Sequence, residues 1–164
     1  MDAAALQETM PRLRRYARAL VGERAAADDL VQDTLERAWQ RRAQWRPGSD
    51  LRAWLFSIMH NIRVDQIRRH GVPTQTLDDA AILPTRATQS DGLEMNDLSN
   101  ALAQLPEDQR AVLLLVALEE MRYEEVASAL GIPVGTVMSR LSRGRERLRQ
   151  ILEGRSPARL RVVR

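Results

Sequence analysis

At 164 residues the chain can hold one ordinary domain or two small ones, with little room left for a catalytic cleft. It has no cysteine, which excludes a disulfide framework and cysteine-ligated zinc, and two scattered histidines make a poor metal set, so no metal and no cofactor are expected. No apolar run approaches the roughly 18 residues that span a bilayer, and Met1-Asp2-Ala3-Ala4 lacks the basic-then-apolar start of a signal peptide, so the reading is a soluble, cytoplasmic protein without membrane insertion. The net charge is only +3, but it is unevenly spread. Between Met138 and Arg164 nine arginines face Glu146 and Glu153, whereas between Gly71 and Asp108 seven acidic residues face Arg86 alone. A basic end beside an acidic middle suggests that one part of the chain holds a polyanion.

Leu6, Met10, Leu13, Ala17 and Leu20 recur at spacings of three and four, which predicts a first helix with Gly22 as its stop. A second helix follows. Asp28 and Asp29 are expected in its first turn, where negative charge suits the helix dipole, and Leu30, Val31, Leu35, Ala38 and Trp39 mark its apolar face. It should end near Trp45. Pro47-Gly48-Ser49 breaks the pattern, and Asp50 is placed to cap a third helix from Leu51 to about Arg69, with Leu51, Leu55, Ile58 and Ile62 along one side. These helices make a first domain over residues 1–70.

Residues 71–92 are rich in Thr, Pro, Asp and Gln without a sustained apolar period, and read as a flexible linker. A fourth helix runs through Leu98, Ala101, Leu102 and Leu105, and Pro106 suits the first position of a fifth that carries the apolar run Ala111 to Leu118. Tyr123 to Leu130, then Gly131-Ile132-Pro133, then a helix from Gly135 to about Leu152 give helix-turn-helix spacing. The second domain therefore covers residues 93–154, with a basic tail at 155–164. With no strand-like alternation, the fold class is all-α, two small helical domains on a flexible linker.

On a helical wheel Val137, Leu141, Gly144, Leu148 and Ile151 share the inward side of the last helix. Ser139, Ser142, Arg143 and Glu146 lie roughly opposite, where a major groove would meet them. An Arg there suits a guanine edge, while Thr136, Arg140 and Arg145 are placed for phosphates. The plainer reading is a solvated arginine-rich surface helix. Trp39, Trp45, Trp54 and Phe56 cluster around the first domain's turn beside Arg37, Arg41, Arg42, Arg46 and Arg52. Trp39 and Trp54 are read as core rings. Trp45, next to Arg46-Pro47-Gly48-Ser49-Asp50, is a candidate stacking platform for unpaired bases. The acidic face Asp29, Asp33 and Glu36 is either solvated or a partner's docking surface, with attraction expected between Asp33 and Arg37 and repulsion between Asp29 and Asp33 at the same i,i+4 spacing. His60 has no nucleophile or carboxylate constellation around it and reads as a surface or partly packed residue. No enzyme motif is found, and no catalytic residue is assigned.

The stretch Asp28-Asp29-Leu30-Val31-Gln32-Asp33-Thr34-Leu35-Glu36-Arg37-Ala38-Trp39 closely resembles region two of extracytoplasmic-function (ECF) sigma factors, of the sigma-70 family, and Ala53-Trp54-Leu55-Phe56-Ser57-Ile58 continues the match. Leu105-Pro106-Glu107-Asp108-Gln109-Arg110 and Ile132-Pro133-Val134-Gly135-Thr136-Val137-Met138-Ser139-Arg140-Leu141-Ser142-Arg143-Gly144-Arg145 resemble region four. The resemblance covers nearly the whole chain apart from the linker and the last ten residues. It implies a non-enzymatic initiation factor that binds core RNA polymerase and directs promoter recognition and melting for a stress or extracytoplasmic-signal regulon.

The same resemblance implies roles for individual residues. Asp28, Asp29, Leu30, Gln32, Asp33, Glu36, Arg37 and Trp39 would dock on the clamp of the largest polymerase subunit, with the flap as a further contact of the enzyme. Gln44, Trp45, Arg46, Gly48, Ser49 and Asp50 would hold a base flipped from the non-template strand at the minus-ten element, with His60 and Asn61 near the melted DNA. Gly135, Thr136, Ser139, Arg140, Ser142, Arg143 and Arg145 would read the minus-thirty-five element as duplex. An anti-sigma factor is implied as a further partner.

Two departures from the family pattern stand out. Met138 occupies a position where many relatives place Lys or Arg, and Arg122 one where a Ser cap is common, so the Tyr123 helix is expected to start without a side-chain acceptor. Two other readings remain. A sigma-mimicking decoy that binds an anti-sigma factor would be expected to lose the basic reading face, yet Arg140, Arg143 and Arg145 are present. A plain helix-turn-helix regulator explains the second domain only.

Overall fold

A computed structural model of the chain describes residues 1–70 and 93–154; the linker expected at 71–92 and the basic tail at 155–164 lie outside the described residues. Among those described there are seven α-helices, one short 3-10 turn and no strand. Helix α1 (Ala3–Val21) is opened by Asp2, whose carboxylate accepts the Ala5 N–H at 2.8 Å, and closed by Gly22 at a φ of 86°. Helix α2 (Arg24–Gln40) begins a full turn before Asp28. Its cap is the Glu23 carboxylate, which accepts the Ala26 N–H at 2.9 Å, so Asp28 and Asp29 sit in the second turn rather than the first. It also ends earlier than expected, at Gln40, and a 3-10 turn over Arg42–Gln44 follows. Helix α3 (Leu51–Arg69) has the bounds that the sequence predicts, with Asp50 accepting from the Arg52 and Ala53 N–H groups.

Leu13, Tyr16, Leu20, Leu30, Leu55, Phe56 and Met59 fill the space between these helices, and the Tyr16 ring meets Phe56 edge-on at 5.0 Å between centroids. Trp54 is half-buried against this core. Trp39 is not a core ring: at the last turn of α2 it is 51% exposed, with the Arg42 guanidinium 4.4 Å above its face.

In the second unit α4 (Leu93–Ala103) stops short of Leu105, which is buried in the following turn, and Leu98 is exposed rather than inward. Pro106 precedes α5 (Glu107–Ala117) instead of forming its first residue. Helix α6 (Tyr123–Leu130) ends at Gly131, whose φ of 69° is the left-handed conformation a glycine adopts without strain, and α7 (Val134–Gly154) follows at once. The start of α6 does have an acceptor. Glu125, three residues on, takes the Arg122 backbone N–H at 2.8 Å, which is half of a capping box supplied from inside the helix.

The two units pack together. Helix α1 lies against α5, α3 lies against α6, and the buried apolar residues of both units form one continuous cluster. Polar cross-links fix the register. Arg110, from α5, donates to the Leu20 carbonyl at the end of α1 and to the carbonyls of Leu102, Ala103 and Leu105. Arg63 of α3 forks onto Glu107 at 2.7 and 3.0 Å. Glu119, in the loop between α5 and α6, is fully buried, and Arg15 donates to its carboxylate at 3.1 to 3.3 Å, with Arg12 at 3.9 Å. The Glu119 carbonyl accepts from Arg52 at 2.8 Å.

The cross-link is asymmetric, because Glu119 is sealed from water while Arg12 and Arg15 are about half exposed. Arg15→Ala strands a buried charge and should lower unfolding free energy by about 3 kcal/mol. Glu119→Gln leaves arginines that water can solvate again and should cost about 1.5 kcal/mol. Urea denaturation of the two variants checks that order.

Candidate nucleic-acid interface

Three surfaces carry the residues singled out in the sequence. On α2, Asp28, Asp29, Gln32, Asp33, Glu36 and Trp39 are exposed at helical spacings and form one stripe. Leu30 belongs to the core at 1% exposure and is unavailable to a partner, and Arg37 is half-buried. Asp28 approaches Arg18 at 3.9 Å. Asp29, Asp33 and Glu36 have no ion-pair partner among the described residues, and the expected Asp33 to Arg37 pair does not form. The stripe thus ends on an exposed indole and keeps three of its four carboxylates without an ion pair among the described residues.

The second surface is the turn after α2. Gln44, Arg46, Gly48, Ser49 and Asp50 are exposed, and Gly48 has a φ of 93°. Ser49 and Asp50 both have local work, the hydroxyl donating to the Arg46 carbonyl at 2.6 Å and the carboxylate capping α3. Trp45 is only half exposed, with its indole N–H enclosed and unpaired. In α3 Asn61 is exposed, while His60 is partly buried within electrostatic reach of Arg140 on α7. Burial is the main cause that pushes the His60 pKa down; Arg140 adds to the effect and Glu107 opposes it.

The third surface is α7. Val137, Leu141 and Gly144 are buried, with Leu148 and Ile151 packed at the edge of the core, as the wheel predicts. Gly144 lies over Gln109, where an added Cβ would meet its Cβ and carbonyl oxygen at 3.5 Å. Gly135, Ser142, Arg143, Arg145 and Glu146 are exposed; Thr136, Ser139 and Arg140 are partly covered. The Ser139 hydroxyl donates to the Thr136 carbonyl, and Arg140 turns toward Asp108 at 3.7 Å. Glu146 is bound by Arg149 and Gln150, and Arg149 also reaches Glu153, so the C-terminal half of the helix largely neutralises itself. Arg143 and Arg145 have no ion-pair partner among the described residues.

Sequence reasoning missed two sets of residues. Val134 and Met138 are exposed apolar side chains one helical turn apart on the flank of α7, between its buried and outward faces. Their i, i+4 spacing was a legible signal, but a wheel read only for polar groups passes over it. Arg110 and Glu119 had no local signal at all, since their partners lie up to 104 residues away. Among the described residues no group of three or more His, Asp or Glu could hold a metal ion, and no helix is long and apolar enough to cross a membrane.

Comparison with known proteins settles the family. Residues 6–60 match the family model of the sigma2 domain of PhyR, and residues 95–148 match sigma-70 region 4. A curated relative, the ECF RNA polymerase sigma factor EcfG of Rhodopseudomonas palustris, is 39% identical over 145 residues, covering 87% of this chain and 80% of that protein. The chain belongs to the ECF RNA polymerase sigma factors. Its fold is similar to that of the sigma factor RpoE from Bartonella quintana, solved in complex with the anti-sigma factor NepR, with a TM-score of 0.77, 35% identity and coverage of 92% of this chain and 95% of that one. CnrH, solved with the cytosolic domain of CnrY, gives a TM-score of 0.68 at 28% identity, covering 94% and 92% of the two chains.

The sigma factor's closed packing carries a pH dependence through His60. Its folded pKa lies below the ordinary value of 6.5, so in the window beneath 6.5 the unfolded chain binds more protons than the folded one. Stability is therefore full above that window and is lost as the pH falls through it. Thermal melts from pH 7.5 down to 5.5 should show a falling midpoint, and His60→Gln should remove this part of the slope.

Proposed function

We propose that this sigma factor docks on core RNA polymerase through the α2 stripe, presents the turn at residues 44–50 with His60 and Asn61 to the melted minus-ten element, and lays α7 in the major groove at minus-thirty-five. The observation that supports this most is the stripe itself. Three exposed carboxylates without internal partners, ending on an exposed indole, do nothing for the fold and suit a basic clamp surface. Arg143 and Arg145 support the DNA half of the reading, because an unpaired guanidinium on a helix-turn-helix surface can meet phosphates or guanine edges.

In the folded arrangement His60 and Arg140 are within electrostatic reach of each other. Two promoter elements separated by about two turns of duplex lie roughly 70 Å apart. The two units must therefore part before both can engage, and polymerase binding supplies the force. An anti-sigma factor of the kind seen with RpoE would act on the same equilibrium in the opposite direction. A sigma mimic would share the first unit, given the PhyR match, but would not start transcription. The cellular site proposed is the cytoplasm, where the polymerase works.

The direct test is transcription in vitro. Purified chain plus core polymerase should initiate from a promoter that neither recognises alone, whereas a mimic would capture an anti-sigma factor and leave core inactive. Asp33→Arg should weaken core binding about tenfold, roughly 1.4 kcal/mol, with helical content unchanged by circular dichroism. Unaltered affinity at moderate salt would remove the stripe from the interface.

A further inference from the structure

The N-terminal end of a reading helix is the part that meets base edges in a major groove. In α7 that end is not the basic surface that the arginine count suggests. Val134 is the first helical residue and Met138 the fifth, 37% and 51% exposed, and they stand one turn apart. Gly135 between them has open space where a Cβ would be, and Ser142 continues the same side. The nearest unpaired cations, Arg143 and Arg145, lie a turn further on, and Arg140 is tied to Asp108. A small apolar patch at the tip, backed by arginines, has the charge layout for a polyanion and the surface chemistry for a methyl group.

We propose that Val134 and Met138 read thymine 5-methyl groups in the minus-thirty-five element, and that Met138 is a specificity-determining residue of this sigma factor. Thymine is the one base whose major-groove edge is apolar, and a thioether with three rotatable bonds adapts to it. The missing side chain at Gly135 lets the helix seat close to the base pairs. This inference rests on α7 being the reading helix.

The experiment uses the full chain assembled with core polymerase and promoter duplexes in which each thymine of the minus-thirty-five element is replaced in turn by deoxyuridine, which removes only the methyl. One or two positions should lose about three- to fivefold in affinity, the scale of one buried methyl. Met138→Ala should bind thymine and deoxyuridine duplexes alike at one of those positions, and Val134→Ala at the other; a Val134→Ala variant that keeps the full preference at every position would remove Val134 from the readout. Both side chains are exposed enough for the variants to fold, which an unchanged melting curve verifies. If no deoxyuridine position matters, or if both variants keep the full methyl preference, the proposal is wrong while promoter-dependent initiation and an Arg143→Ala defect would leave the reading-helix assignment standing. Loss of core affinity in Met138→Ala with DNA preference intact would make the patch a protein contact and overturn the proposal as well. A holoenzyme that cannot distinguish a promoter from random duplex would overturn the reading of α7 and this inference with it.

Discussion

A carboxylate shut away from water, Glu119, governs how the two halves of this chain meet. A buried charge is tolerable only when its lone pairs are filled, and the second unit supplies no cation for it. Arg15 and Arg12 come from α1, and Arg52 of α3 takes the backbone carbonyl of the same residue. The loop that carries Glu119 is thereby pinned at the junction of α1, α3 and the second unit. The next residue, Glu120, is held at a φ of 56°, a left-handed conformation that a non-glycine residue keeps only when its surroundings impose it. The α1 to α5 and α3 to α6 contacts, and with them the closeness of His60 to Arg140, follow from that anchor.

The anchor is polar, and this bears on whether the units can part. An interface made only of leucine would resist separation with the whole of its hydrophobic area. Here the cross-links are ion pairs and carbonyl contacts whose cationic members already touch solvent: Arg15 is half exposed, and Arg63 and Glu107 are each about one-quarter exposed. Such groups regain hydration when pulled apart, and contacts of this kind within a chain resemble those of transient complexes. Only Glu119 and Arg110 lose partners that water must replace from nothing. The polar cross-links therefore fix the register of the closed arrangement, while the apolar cluster shared by the two units adds hydrophobic area that separation would expose.

What the sequence revealed and what it hid divide along the range of the signals. Helices α3 and α6 were legible to the residue because Asp50 and Gly131 act on their immediate neighbours. The start of α2 was not, since Glu23 caps with a residue outside the usual Ser, Thr, Asp and Asn set and the acidic pair downstream imitates a first turn. Trp39 was misplaced in the core because residue type alone cannot tell an inward ring from one at a helix end stacked by Arg42. The unpaired stripe on α2 was half visible: spacing grouped Asp29, Asp33 and Glu36, but only coordinates reveal that Arg37 does not answer them. Contacts between the units left no trace, as Arg15 and Glu119 share no period or motif.

The exclusive use of arginine looks, from composition, like a neutral bias, yet in three places the geometry needs the guanidinium. Arg110 spreads its donors over four carbonyls from two helices and the turn after α4, Arg63 forks onto one carboxylate, and Arg15 places two nitrogens on another. An ammonium is a compact point charge and cannot span those acceptors at once. Arginines of the interior are thus spent on the closed form, and Arg149 is spent on its own helix. Among the described charges without an ion pair are Asp29, Asp33 and Glu36 on α2 and Arg143 and Arg145 on α7. Opposite charges left unanswered on opposite units are what a chain needs if one unit is to meet a basic protein surface and the other a nucleic acid.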